Sequence, residues 1–305
     1  MNNQKKAVIL ALSAVFLWST VAVSFKIALQ YVNFIQLLFF SSFTAVICFL
    51  LISIGIKNIN SLLKITYKNL VISSFVGFLN PFLYYLVLFK AYSVLPAQIA
   101  QPLNYLWPAV LVILSAPMLG QKLNVFSLLS LFIGFLGVYV ISTRGAVLSF
   151  DIKNPLGVIL AAGSSVIWAL SWILNQKDKR DAQTKLFWAF VFGFIYTSIV
   201  VLIKNDFIIP ETNGIFAVIY VGLFEMGITF FLWLKALQIT NRNDSISNLV
   251  FLSPFAALIF IHFILGEQLY YTTFIGLFLI IVGIFIQKVK PLKKSIGKKF
   301  INIRN

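Results

Sequence analysis

PAVLVILSAPMLG at residues 108–120 comes back as PFAALIFIHFILG at residues 254–266. Both segments open on a proline, run on through apolar residues and close on Leu-Gly, 146 positions apart. Working outward from this pair finds more correspondences in the same order. Lys90-Ala91 matches Lys235-Ala236, Gly137 matches Gly283, and Trp18 matches Trp168. One such pair would mean nothing; several in one order across most of each half read as an internal repeat.

The repeat is written in apolar residues. The chain has 305 residues, of which 60% are hydrophobic and 10% charged, with a mean hydropathy of +0.97. A soluble domain carries about a quarter charged residues, so lipid must solvate most of this surface. A bilayer core takes about 20 apolar residues per helix. Polar punctuation divides the chain into ten stretches of that order: 7–29, 34–56, 70–89, 96–118, 124–143, 156–176, 186–204, 214–237, 245–265 and 271–288. Each half holds five. An odd number of crossings makes the second half enter from the opposite side. The expected fold is therefore an all-α membrane protein, ten transmembrane helices as a 5+5 inverted repeat. Residues 1–143 form the first repeat, 144–155 an external connection, 156–288 the second repeat and 289–305 a basic cytoplasmic tail. Inverted repeats are a transporter architecture, with the substrate site near the midplane; the competing reading is a duplication kept for packing alone.

The net charge of +16 would suggest nucleic acid in a soluble domain. Here Lys and Arg collect on alternate loops instead. With the N-terminus inside, 19 fall on inner segments and 5 on outer ones, and 12 against 5 without the tail. That bias sets N-in and C-in, with the tail on anionic headgroups. Cys48 is alone, which excludes an intrachain disulfide. The first stretch is too long for a signal peptide and lacks an A-x-A site, so it is expected to stay as a helix.

Polar positions fall on faces when placed about 100° apart on a helix. Ser13, Thr20 and Ser24 share one side of stretch 1; Ser73, Gly77, Asn80 and Tyr84 of stretch 3; Gln98, Gln101, Asn104, Tyr105 and Pro108 of stretch 4. In the second half, Ser164, Trp168, Ser171, Trp172 and Asn175 align on stretch 6, Gly222, Glu225, Thr229 and Trp233 on stretch 8, and Asn248, Phe255 and His262 on stretch 9. Any one Ser or Thr is better read as interhelical glue. The pattern over six helices, three per half, favours a cavity. Its expected substrate-binding residues are Trp18, Thr20, Asn80, Tyr84, Gln101, Asn104 and Tyr105 from the first repeat. The second contributes Trp168, Ser171, Glu225, Thr229, Trp233 and Asn248.

Glu225 is the only carboxylate at mid-helix. A charge at that depth is costly and functional by default. Two readings stand: a partner for a substrate ammonium or a proton, or a protonated side chain bonded across helices. Its counterpart 145 positions earlier is Asn80. The flanking Trp and Tyr rings suit an aromatic or apolar ligand and attract cations. Pro108 and Pro254 interrupt their helices at matching depth, as hinges or as inherited kinks. Lys26, Lys90, Lys235 and Glu267 read as snorkelling anchors, and His262 as a hydrogen-bonded interior histidine.

Ten helices in a 5+5 repeat, each half closing on Pro108…Leu119-Gly120 or Pro254…Leu265-Gly266-Glu267, resemble the EamA family of the drug/metabolite transporter superfamily. The first half departs from the Leu-Gly-Glu pattern with Gln121. The run Asn104-Tyr105-Leu106-Trp107-Pro108 is similar to the aromatic amino-acid exporter branch. The resemblance implies a helix-lined central cavity and export of amino acids or related metabolites, in a bacterial inner membrane, with no ATP-binding subunit.

The expectation is a secondary transporter of a small-molecule substrate in the lipid bilayer, exporting amino acids with aromatic or other apolar side chains by alternating access. Alternatives are a proton-coupled exporter of lipophilic organic cations and a metabolite uptake carrier. No cofactor, metal or nucleic acid is called for. The sequence holds no H-E-x-x-H, G-x-S-x-G or P-loop, which argues against an enzyme, and no ring of charges, which argues against a channel.

Overall fold

The computed structural model describes residues 3–56, 59–120, 125–146, 152–240, 246 and 249–287. All regular structure among these residues is helical. In the first half, α1 (Asn3–Ala28) and α2 (Phe34–Gly55) are followed by the short α3 (Ile59–Leu63). Next come α4 (Tyr67–Gly77), a wide π turn (Phe78–Leu83) and α5 (Tyr84–Val94), which together make one broken helix. A second broken helix is α6 (Ala97–Asn104) with α7 (Trp107–Leu119), and α8 (Val125–Ser142) closes the half.

The second half repeats this order. α9 (Pro155–Lys177) and α10 (Ala182–Lys204) are unbroken. α11 (Thr212–Tyr220), a π turn (Val221–Gly227) and α12 (Ile228–Ile239) form the broken helix that matches α4–α5. A 3-10 turn at Leu249–Leu252 leads into α13 (Ser253–Leu265), and α14 (Tyr271–Gln287) follows. Seven of these helical stretches are long and apolar enough to cross a membrane, and three shorter apolar helices cover 128–142, 249–265 and 271–286. The chain is a multi-pass membrane protein.

The packing also repeats. α1 lies against α12 and α13; α9 lies against α5 and α7. α2 braces the π turn at 221–227 while α10 braces α4 and the π turn at 78–83. α2 and α10 pack on each other, and so do α8 and α14. The α1 and α9 contacts, and the α2 and α10 braces on the two π turns, are thus mates with the roles exchanged. Large apolar side chains such as Phe16, Leu51, Leu202 and Phe263 point outward, at 60–79% exposure; only lipid makes that favourable.

Many hydroxyls inside the bundle bond their own helix backbone. Ser19 donates to Val15 O, Ser24 to Val21 O and Thr197 to Gly193 O, each on its own helix. This back-bonding lets Ser and Thr sit in apolar surroundings without a distant partner. It is also why they mark faces poorly.

The prolines differ from the sequence expectation. Pro108 and Pro254 each sit in the first turn of a new helix, α7 and α13. There a missing N–H costs nothing. The breaks themselves lie just before them, at Tyr105–Leu106 and in the 3-10 turn at 249–252. Gly120 and Gly266 end these helices in the left-handed conformation, with φ of 68° and 66°. That is the physical meaning of the two Leu-Gly stops.

Candidate functional site

The centre of the bundle is built on two unwound helix segments. In the first, Pro81 cannot donate to the helical ladder, and Asn80 takes an extended conformation (φ −149°, ψ 118°). In the second, Gly227 breaks the run (φ −105°, ψ −90°) just after Glu225. Close packing fixes both. A methyl at Gly222 would meet Thr44 Cβ at 2.5 Å and Ser41 O at 2.6 Å on α2.

Glu225 is 7% exposed. The Tyr85 hydroxyl donates to Glu225 Oε1 at 3.0 Å, and Oε2 is buried without a partner. The carboxylate opens on a chamber of about 70 Å³. Of the expected residues, Trp18, Tyr84, Gln101, Asn104, Tyr105 and Trp168 share this wall with it. Their polar groups are tied together. Tyr84 Oη donates to Asn104 Oδ1 (3.2 Å), Asn104 Nδ2 donates to Ser164 Oγ (2.8 Å), and Tyr92 Oη donates to Gln101 Oε1 (3.1 Å).

Two further spaces adjoin the first through Trp168. One, of about 320 Å³, is bounded by Trp18, Pro108, Trp168, Trp172 and Trp233 and reaches Gln176 and Leu237 at one end of the bundle. The other holds Asn80, Ser171 and Asn175 with Trp168. The rings interlock: Tyr84–Trp168 centroids lie 4.7 Å apart, Trp18–Trp233 5.4 Å and Trp168–Phe230 5.7 Å.

Not every expected residue arrives there. The Thr20 hydroxyl bonds Leu17 O and Tyr220 Oη (2.7 Å) and lines none of the three spaces. Thr229 donates to Phe224 O within its own unwound turn. Pro254 is buried at the start of α13, away from these walls. Asn248 lies outside the described residues. Phe255 and His262 face outward; His262 is exposed and pairs with Glu267 O, so it is not interior. The cavity is lined instead by Val250 and Phe251 of the 3-10 turn before that helix. Sequence reasoning also passed over Tyr85, Tyr92 and Phe230. Tyr85 sits about 100° from Tyr84 on the same helix, so a polar face drawn through Tyr84 leaves it out, and the wide turn upstream sets the direction of both. The Asn80-Pro81 dipeptide was the available signal of that turn.

At the opposite end from Gln176, Lys26 and Glu267 are structural parts rather than anchors. Glu267 accepts from the N–H groups of Ala97 (2.8 Å) and Gln98 (3.1 Å), capping α6. Gln98 donates to Gln268 O and accepts from Tyr270 N and Thr273 Oγ1. Lys26 Nζ donates to Tyr92 O and Leu95 O. This clasp ties α1, α5 and α6 to the α13–α14 loop. At the other end Asp178 pairs with Arg180, which also donates to Ser73 Oγ. Burial pushes the Asp178 carboxyl up, but the Arg180 hydrogen bonds outweigh it and hold it below its ordinary value. Among the described residues no group of His, Cys, Asp and Glu is placed to hold a metal ion.

Comparison with known proteins fits these walls to a family. An uncharacterized transporter of Archaeoglobus fulgidus is 28% identical over 188 residues, 60% of this chain and 64% of its own length. The uncharacterized transporter YvbV of Bacillus subtilis is 25% identical over 250 residues, 79% of this chain and 78% of its own. The aromatic amino acid exporter YddG of Ancylobacter novellus is 24% identical over 152 residues, 49% of this chain and 53% of its own. A crystal structure shares the fold over 93% of this chain and 96% of its own, at a TM-score of 0.64 and 19% identity. The profile of the EamA-like transporter family matches residues 5–143 and again 155–287, and on that match the chain belongs to the EamA-like transporter family.

Proposed function

We propose that this protein is a secondary exporter, in the cytoplasmic membrane of a bacterium, of small organic metabolites that join an ammonium group to an aromatic or other apolar body, the class to which apolar amino acids belong. The observation that carries this reading is Glu225: a carboxylate with one oxygen held by Tyr85 and the other unpartnered, opening on a chamber walled by Trp and Tyr. A buried carboxylate attracts a cation, and the rings add cation–π attraction and apolar contact. The partial match to a protein named as an aromatic amino acid exporter points the same way.

Transport proceeds by alternating access in a ten-helix 5+5 inverted repeat with both termini inside. The Glu267–Gln98–Lys26 clasp then lies outside and is shut, while the larger chamber reaches the inner end at Gln176. The breaks before Pro108 and Pro254 are the hinge positions. Proton and substrate compete for Glu225, which couples export to the proton gradient. Reconstituted protein should show saturable counterflow of such a solute, and an impermeant thiol reagent should reach cysteines at Ser93 and Lys177 (in a Cys48→Ala background) from opposite faces. Flux without counterflow would make it a channel, and same-side labelling would break the inverted repeat.

A further inference from the structure

Two buried side chains reach the small central chamber with polar capacity left over. Glu225 Oε2 has no donor. Gln101 is 3% exposed; its Oε1 accepts from the Tyr92 hydroxyl at 3.1 Å, and among the described residues nothing accepts from its Nε2. The first is a charged acceptor and the second a pair of N–H donors. Both residues wall the same chamber of about 70 Å³.

The neighbouring amide is different. Asn104 is used at both ends, accepting from Tyr84 and donating to Ser164. Gln101 is held at one end only. An amide is planar, so the Tyr92 bond to its oxygen also sets the direction of its nitrogen. A buried donor without an acceptor is costly, and a bound group that accepts recovers that cost. Trp168 adds a second N–H, buried and unpartnered, on a ring that lines this chamber too. Among the described residues no Lys, Arg or His lines the chamber. An anion there rests on neutral donors, which suffice for a carboxylate when several converge on it.

Size adds a second constraint. The small chamber shares Trp18, Trp107, Trp168 and Val250 with the apolar space of about 320 Å³. A ligand therefore carries its two polar groups close together and sends an apolar body into the larger space. An α-amino acid has its ammonium and carboxylate on one carbon.

Resting on the transport reading above, we propose that Gln101 is a specificity-determining residue: its Nε2, with Trp168 Nε1, takes the carboxylate of an α-amino acid whose ammonium pairs with Glu225. The site then prefers the zwitterion to the matching amine.

The test is binding to the purified full-length protein at neutral pH, with phenylalanine and 2-phenylethylamine as probes. They share the aromatic body and the ammonium, and only phenylalanine adds a carboxylate. Wild type should bind phenylalanine at least about tenfold more tightly, the worth of one charge-assisted contact. Gln101→Met keeps the length and removes the donors, so it should collapse that ratio by weakening phenylalanine. Gln101→Glu still accepts from Tyr92 but sets a carboxylate against the ligand's own, and should invert the ratio. Glu225→Gln should weaken both probes. Equal binding of the two probes by wild type, or a ratio that survives in both Gln101 variants, overturns this inference and leaves the transport reading standing. No saturable binding or counterflow of either probe by wild type overturns both.

Discussion

The two unwound segments, Phe78–Leu83 and Val221–Gly227, use one backbone device for different ends. Each widens a helix at the same depth of its repeat, and each is braced by a helix of the other half. The first presents an amide at Asn80 and the second a carboxylate at Glu225. They are also joined, because Tyr85, just past the first segment, holds the carboxylate of the second. The two halves, each matched by the same family profile, thus share a backbone device, and one side-chain difference puts a carboxylate on the second. The hydroxyl from the opposite half meets one oxygen of that carboxylate and leaves the other facing the chamber.

The sharpest way to break this comparison is Glu225→Gln, which makes both segments neutral amides. It should lose about 1.5–3 kcal/mol of substrate binding, roughly tenfold to a hundredfold in affinity. Any pH dependence of binding should go with it. Titration of wild type and variant at several pH values checks both, and unchanged curves would reduce Glu225 to interhelical glue.

Gly222→Ala tests the bracing. The new methyl has nowhere to go against Thr44 and Ser41, so the variant should lose about 1–3 kcal/mol of stability. Gly77→Ala should behave alike, because a methyl there meets the Ala189 carbonyl. Thermal melting in detergent measures both. A tolerated Gly222→Ala beside a disrupted Gly77→Ala would mean the two braces are not equivalent.

Tyr85→Phe keeps the ring and removes the link between segments. About 1 kcal/mol, or fivefold in affinity, is expected. Tyr84→Phe, which loses only the bond to Asn104, should cost less. The reverse order would place the essential hydroxyl elsewhere.

Two smaller effects separate the ends of the bundle. Glu267→Ala uncaps α6 and should cost about 1 kcal/mol. It should also speed labelling of a cysteine at Ser93, whereas labelling at Lys177 is unchanged. Asp178→Asn removes the charge that pairs with Arg180. The Asp178 carboxyl is held below its ordinary value, so its contribution is present above the unfolded value and fades as pH falls through the folded one. The melting difference between wild type and variant should therefore shrink in acid, and a constant difference would remove Asp178 from the pH response.

Much of this was legible beforehand. Apolar stretches marked the helices because lipid penalises polar surface wherever it falls in the chain. The Leu-Gly pairs marked helix ends because only glycine adopts the positive φ there without strain. Glu225 stood out because a carboxylate in mid-stretch has no inexpensive explanation. Polar faces were a weaker guide. Thr20 and Thr229 lay on the expected sides yet satisfied themselves on nearby groups, and His262 lay on a face that turned outward.

By itself, then, the sequence determined the solvent, the repeat, the helix stops and the one central charge, because each is a local property of residue type and spacing. The partners of that charge were decided by the tertiary structure. A wide turn at Asn80-Pro81 rotates everything after it, so the direction of Tyr85 depends on a backbone geometry that no regular helical period encodes. The cap that Glu267 places on Ala97 and Gln98 joins residues 170 and 169 positions apart, and only packing of the two halves brings them within a hydrogen bond.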